Sequence, residues 1–117
     1  MADRMSFPTV LIALQDARIQ EELSLSLRNR GYLVLEATSL SNAFEIVRTH
    51  SRRIHLSLLG PGSRVMAGVF KQYRSQMKVL FIDADASEPG LDQINPEAAM
   101  ETIQTLVSPP AAAMRAG

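Results

Sequence analysis

Four aspartates, Asp16, Asp83, Asp85 and Asp92, stand in short polar stretches just beyond apolar runs of the chain. Carboxylates gathered at the ends of buried strands are what a hard divalent cation binds, provided that several oxygens converge on it. The plainer account is a helix cap at Asp16 and solvated loop acids elsewhere. Gly60-Pro61-Gly62-Ser63 follows another apolar run. Its amides could face an anion, but a turn that uses glycine for its backbone geometry is commoner, and no phosphate-loop lysine pattern follows. Arg48, His50, Arg52 and Arg53 form a basic cluster. Cations are favoured at a helix C-terminus, which explains them without a nucleic-acid or anionic partner. His50 and His55 are the two histidines, and there is no cysteine. Two histidines alone make neither a zinc site nor a nucleophilic triad. The residue types therefore predict no metal, no cofactor and no enzyme.

The elements that must position these groups follow from the apolar patterning. Residues 9–14 read as a buried strand. A helix over 16–30 places Ile19, Leu23 and Leu27 on one face, with Asp16 as cap and Gly31 as terminator. Residues 32–37 form a second strand. Ser39 or Ser41 caps a helix running to about residue 50, with Ala43, Phe44, Ile46 and Val47 as its apolar positions. Residues 54–59 are apolar on both faces apart from Ser57, as in a strand inside a sheet covered on both sides. A helix over 67–76 leads into a strand over 78–82. Asn95-Pro96-Glu97 opens a last helix reaching about residue 107, with Ala98, Ile103, Leu106 and Val107 among its apolar residues. Alternating strands and helices predict an α/β domain with a doubly wound parallel sheet. It spans residues 8–107, between an N-terminal arm (1–7) and a Pro/Ala-rich tail or linker (108–117).

The 117 residues suit one domain with one core, and 46% hydrophobic with 21% charged residues is ordinary for a globular protein. Twelve basic and twelve acidic side chains balance to a formal charge of zero, so no global field draws nucleic acid or an anionic membrane. The sequence shows neither a signal-peptide core nor an apolar run of membrane-spanning length. A cytoplasmic location is expected.

In order and spacing, several segments resemble the response-regulator receiver family. Pro8-Thr9-Val10-Leu11-Ile12-Ala13 is similar to its first strand. The stretch from Arg28 through Gly31 to Ala37 resembles its first-helix exit and second strand. Asn42-Ala43-Phe44-Glu45-Ile46 stands where the family has an alanine-leucine helix, and Met66-Ala67-Gly68 resembles the end of the loop after the phosphorylated strand. Lys78 to Ile82 and Asn95 to Ala99 match the fourth strand and the start of the last helix. The resemblance implies a flavodoxin-like fold. It also implies five site positions: two acids that hold magnesium with the phosphoacceptor aspartate, a Ser or Thr, and a lysine. Those positions fall on Leu14, Gln15, Gly60, Asp83 and Asp92. All five are changed. Glycine has nothing to phosphorylate, and two of the replacements put negative charge where a phosphate would be held. His55 opens a strand where the family often has an aspartate.

Between Asp83 and Asp92 lie only eight residues, with Pro89-Gly90 among them. A mean helix of about 11 residues and a strand of about 5 cannot both fit there. The fourth helix is therefore expected to be missing and the fifth strand to be a stub around 91–94. The flank so exposed, with Leu80, Ile82, Ala84, Asp85, Ala86 and Leu91, is the expected interaction surface. Leu25, Leu40 and Met100, hard to bury by pattern, point the same way. The leading expectation is a non-phosphorylatable receiver-like module in bacterial signal transduction that docks onto a protein partner or onto itself. A small-ligand or ion sensor using the crevice at the strand ends is the alternative. A third is a receiver with an unconventional acceptor, Asp16 or Asp83.

Overall fold

A computed structural model describes residues 8–83 and 93–107. In chain order they form β1 (Thr9–Ala13), α1 (Ala17–Asn29), β2 (Leu33–Glu36), α2 (Leu40–Thr49), β3 (Leu56–Leu59), a single 3-10 turn (Pro61–Ser63), α3 (Arg64–Tyr73), β4 (Lys78–Ile82), β5 (Gln93–Ile94) and α4 (Pro96–Leu106). All strand pairs are parallel, in the order β2-β1-β3-β4-β5. This is the flavodoxin-like doubly wound sheet that the alternation predicts.

β1 is buried along its whole length. Successive strand side chains point to opposite faces, so Val10 and Ile12 enter one core while Leu11 and Ala13 enter the other. On the first face α1 packs beside α4, and Leu23, Leu27, Ala99 and Ile103 meet Leu56, Leu58, Leu80 and Ile82. On the second, α2 packs beside α3, and Ala43, Val47, Ala67 and Phe70 meet Leu59 and Phe81. Ser57 is the one hydroxyl inside β3. It is fully buried and donates to the Met77 sulfur at 3.1 Å.

The helix ends follow their sequence signals. Asp16 Oδ1 accepts from the amides of Arg18 and Ile19 at 3.0 and 3.2 Å. Of the two candidate serines, Ser39 caps α2 and accepts from the Asn42 amide at 3.0 Å. Asn42 Oδ1 in return accepts from the Thr38 amide at 3.0 Å, a reciprocal cap. Asn95 caps α4 through the Ala98 amide at 2.9 Å. Gly31 leaves α1 at φ 96°, a conformation side chains resist. The far end of α4 is tied down as well: Tyr32 donates its hydroxyl to the Val107 carbonyl, and Lys78 Nζ reaches the Leu106 carbonyl at 3.3 Å. Burial raises the Tyr32 pKa above its ordinary value, against a smaller lowering by Arg30, so the phenol stays a neutral donor.

Three expectations need correction. α3 begins at Arg64 and ends at Tyr73, not over 67–76. Pro61 starts a 3-10 turn that feeds directly into it, so Met66, Ala67 and Gly68 are helical and not the end of a loop. The chain leaves the helix at Arg74, whose guanidinium bonds three carbonyls: Val47 at 2.7 Å, Arg52 at 2.9 Å, and His50. Second, Leu80 and Ile82 do not form an open flank. Each is 4% exposed, packed under α4. Third, β3 begins at Leu56, with Ile54 buried just ahead of it. β5 is indeed a two-residue stub. The expected absence of a fourth helix, with Ala84, Asp85, Ala86, Leu91 and Asp92, falls on 84–92, outside the described residues.

Candidate functional site

β1 has β2 on one side and β3 on the other, so the strand order reverses at β1. Chains leaving neighbouring strands there diverge to opposite faces and open a crevice beyond the carboxyl ends, the usual ligand position in such sheets. Here it is a cleft of about 620 Å³. Ala13, Leu14, Gln15, Asp16 and Ile19 line it from β1 and α1, Thr38, Ser39 and Leu40 from the start of α2, Gly60 to Ser63 from the exit of β3, and Ile82 and Asp83 from β4.

Four of the five positions singled out by sequence thus meet at one place: Leu14, Gln15, Gly60 and Asp83. Asp92 lies outside the described residues. Leu14 turns its side chain toward the apolar core, and its amide donates to Gln20 Oε1 at 2.7 Å. Gln20 Nε2 donates in turn to the Ala37 carbonyl at 3.0 Å. A single α1 side chain therefore ties the exit of β1 to the exit of β2. Gln15 is exposed. Asp16 is occupied in part as the α1 cap. Asp83 is half-buried and engages a neighbouring group.

Gly60 has φ −78° and ψ 165°, ordinary extended backbone. A Cβ built there meets no heavy atom within 4 Å, and the same holds at Gly62. The expectation that this turn depends on glycine for its backbone is therefore overturned. The anion reading loses support too: Pro61 has no N–H, and the Ser63 amide is taken by the Gly60 carbonyl at 3.1 Å.

The magnesium ion that the fold family implies finds no fitting donors. Leu14, Gln15 and Gly60 supply no carboxylate at the three positions where the resemblance puts one, and the described residues hold no group of three His, Cys, Asp or Glu able to bind a metal. The basic cluster disperses into local roles. Arg48 pairs with Glu45 at 2.6 Å, and the carbonyls of His50 and Arg52 serve Arg74. His55 sits at the opposite end of the sheet from the cleft, where its Nδ1 accepts from the Thr9 amide at 3.1 Å. Burial, and then Arg53, lower its pKa below the ordinary 6.5, and burial with Arg74 and Arg52 lowers that of His50. Sequence reasoning did not find Gln20 or Arg74. Their patterns are those of surface residues, and only the tertiary placement of carbonyls gives them work.

The strand order and the crevice define a receiver-like fold. A solved response regulator from Thermotoga maritima superposes with a TM-score of 0.70 at 16% identity, over 88% of this chain and 99% of that one. At that identity the likeness is one of fold. No family model and no curated protein matches the sequence. No helix of the described residues is long and apolar enough to cross a membrane.

Two glycines should respond oppositely to alanine in urea unfolding. Gly31→Ala forces a side chain into the left-handed region and should cost about 1–2 kcal/mol. Gly60→Ala should be neutral or stabilise by up to about 1 kcal/mol, because the unfolded chain loses freedom while the folded turn has room. Equal losses at both would contradict the geometry at Gly60.

His55 makes the fold acid-sensitive. Its folded pKa lies below the unfolded one, so the unfolded chain binds more protons between the two values. The stabilisation is complete above about pH 6.5 and fades as pH falls through the folded value. His55→Asn keeps an acceptor for the Thr9 amide but does not titrate. Unfolding between pH 7.5 and 5 should show a shallower acid limb in that variant, with the remainder due to His50. An unchanged slope would remove His55 from the account.

Proposed function

We propose that the chain is a receiver-fold docking module that acts without an aspartyl-phosphate step. Gly60 carries the reading: at the carboxyl end of β3, where the resemblance puts the phosphoacceptor, no side chain exists. Leu14 and Gln15 support it by removing the magnesium ligands. Phosphoryl transfer depends on a positioned nucleophile and on cations that neutralise the moving charge, and the described crevice lining offers acids and no lysine or arginine. In this reading the domain is not an enzyme, resides in the cytoplasm and works through a protein partner or a second copy of itself. With Leu80 and Ile82 buried, the docking surface moves to the outside of α3, where Val65 is 82% and Tyr73 54% exposed. Tyr73 stands edge-on to Phe44 at 5.4 Å, so an aromatic pair is already ordered there at little further entropic cost.

Incubation with acetyl phosphate and magnesium should leave the intact mass unchanged, and magnesium alone should leave the melting temperature unchanged, since a cation bound only by the folded state must raise it. Stoichiometric phosphorylation, at Asp16, Asp83 or elsewhere, would defeat the reading.

Light scattering over a concentration series tests the docking face. Association that Val65→Glu abolishes without lowering the melting temperature supports a two-fold pairing through α3. A strict monomer at the highest concentration rejects self-pairing and leaves a heterologous partner.

A further inference from the structure

β2 ends the sheet: β1 pairs with one of its edges, and among the described residues no strand pairs with the other. Two hydrogen bonds fix the direction of its backbone. The Leu33 amide donates to the Pro8 carbonyl and the Ala37 amide to the Ile12 carbonyl, both at 2.9 Å. Backbone groups of successive strand residues alternate in direction. Leu33, Leu35 and Ala37 therefore face β1, while Val34 and Glu36 each turn an N–H and a C=O toward the open edge. An edge of this kind is a template for a further strand.

A groove of about 340 Å³ is lined by Leu33, Val34 and Leu35 of β2, Arg28 of α1, and His50 and Arg52 just past α2. Leu33 is 42% exposed there, an apolar contact left uncovered. The chain as a whole is neutral, but this groove is not. Arg28 is answered by Glu36 at 3.1 Å, in a surface pair weak enough to exchange partners. The Arg52 guanidinium has no hydrogen bond or ion pair among the described residues, although its backbone carbonyl serves Arg74. Burial, then Arg74 and Arg52, lower the His50 pKa, so that ring adds no charge at neutral pH. The charge left unmatched is positive.

We propose that the β2 edge docks an extended acidic segment of a partner protein, which adds a strand to the five-stranded sheet. The segment's backbone pairs with Val34 and Glu36, and an apolar side chain covers Leu33. Its carboxylates meet Arg52 and, by exchange with Glu36, Arg28. Charge selects this occupant over a second copy, which would bring another unmatched Arg52 to the seam while its Glu36 is engaged by its own Arg28. The backbone ladder likewise selects a peptide over nucleic acid, which has no strand to add. This surface goes beyond the α3 docking face and does not depend on it, since no α3 residue lines the groove.

The probe is a blocked peptide alternating glutamate and valine. Its comparisons are the same peptide with lysine for glutamate, the same methylated at alternate backbone amides in either phase, and a short oligothymidylate. Amide NMR shifts and hydrogen exchange of the intact chain are read with each. In the free chain the Val34 and Glu36 amides should exchange fast and the Leu35 amide slowly. The acidic peptide should shift and protect Val34 and Glu36, and the lysine and methylated peptides should do neither. Arg52→Gln, at an exposed position, should leave the melting temperature unchanged and weaken the acidic peptide about fivefold, one ion pair at high dielectric. Added salt should weaken it in the unmodified chain as well. Slow exchange at Val34 and Glu36 in the dilute free chain would mean that the chain covers its own edge, and protection that rises with protein concentration would give the edge to a second copy. Either result would overturn the proposal. So would equal binding of the lysine or methylated peptide, tighter binding of the oligothymidylate, indifference to Arg52→Gln, or no response to millimolar acidic peptide. Phosphorylation is read by mass and α3 association by light scattering, so failure of the docking reading and failure of this one are distinguishable.

Discussion

The parallel pairing of β1 with β2 on one edge and β3 on the other is the constraint on which the molecule turns. Residues 9–13 are all buried, and Val10 to Ala13 alternate between two cores on opposite faces of the sheet. A fully buried aliphatic side chain contributes about 1.5–3 kcal/mol, and Val10, Leu11 and Ile12 are all completely enclosed. The same pairing forces the chain to leave β1 and β3 in opposite directions, and the crevice is the geometric remainder. It exists because of strand order and does not require any of the side chains that would do chemistry in it.

This separation makes the fold independent of which residues line the crevice. A site aspartate at the end of β3 contributes little to packing, and Gly60 stands in ordinary extended backbone with free space around it. What holds the rim is elsewhere: Gln20 bridging Leu14 to Ala37, the reciprocal Ser39 and Asn42 cap, and the 3-10 turn that Pro61 begins. These contacts are neutral hydrogen bonds, indifferent to whether a metal or phosphate is ever bound. The shape of this fold therefore does not depend on acids at these positions.

Much of the fold was legible because strand and helix periods are local. β4 lies where its apolar run predicts, Asp16, Gly31 and Asn95 mark their helix ends, and Ser39 is one of two serines named as caps. The site was legible in part: order and spacing brought Leu14, Gln15, Gly60 and Asp83 to one place. What escaped is what depends on partners distant in sequence. Arg74 looks like a surface cation until the carbonyls of Val47, His50 and Arg52 are seen around it. Leu80 and Ile82 seemed exposed because the span after β4 is short. Yet alternate β4 residues point to opposite faces, and these two lie on the side that α4 covers, opposite the one where a fourth helix would pack. The face was misassigned, and the length argument concerns residues 84–92, outside the described residues.

In the docking reading, that misassignment moves attention to α3. On the second face, Phe81 is covered by the Arg64 guanidinium, 4.3 Å from the ring centroid. A cation over an aromatic ring shields apolar area while leaving its own charge hydrated, at about 0.5–1 kcal/mol for an exposed pair. Val65, on the next α3 position, has no such cover. The side of α3 from Arg64 to Gly68 therefore presents an exposed guanidinium beside an uncovered apolar residue. Uncovering the buried Leu80 and Ile82, by contrast, would require α4 to lift Ala99 and Ile103 off the sheet. In the docking reading, that cost favours the α3 side over the α4 side.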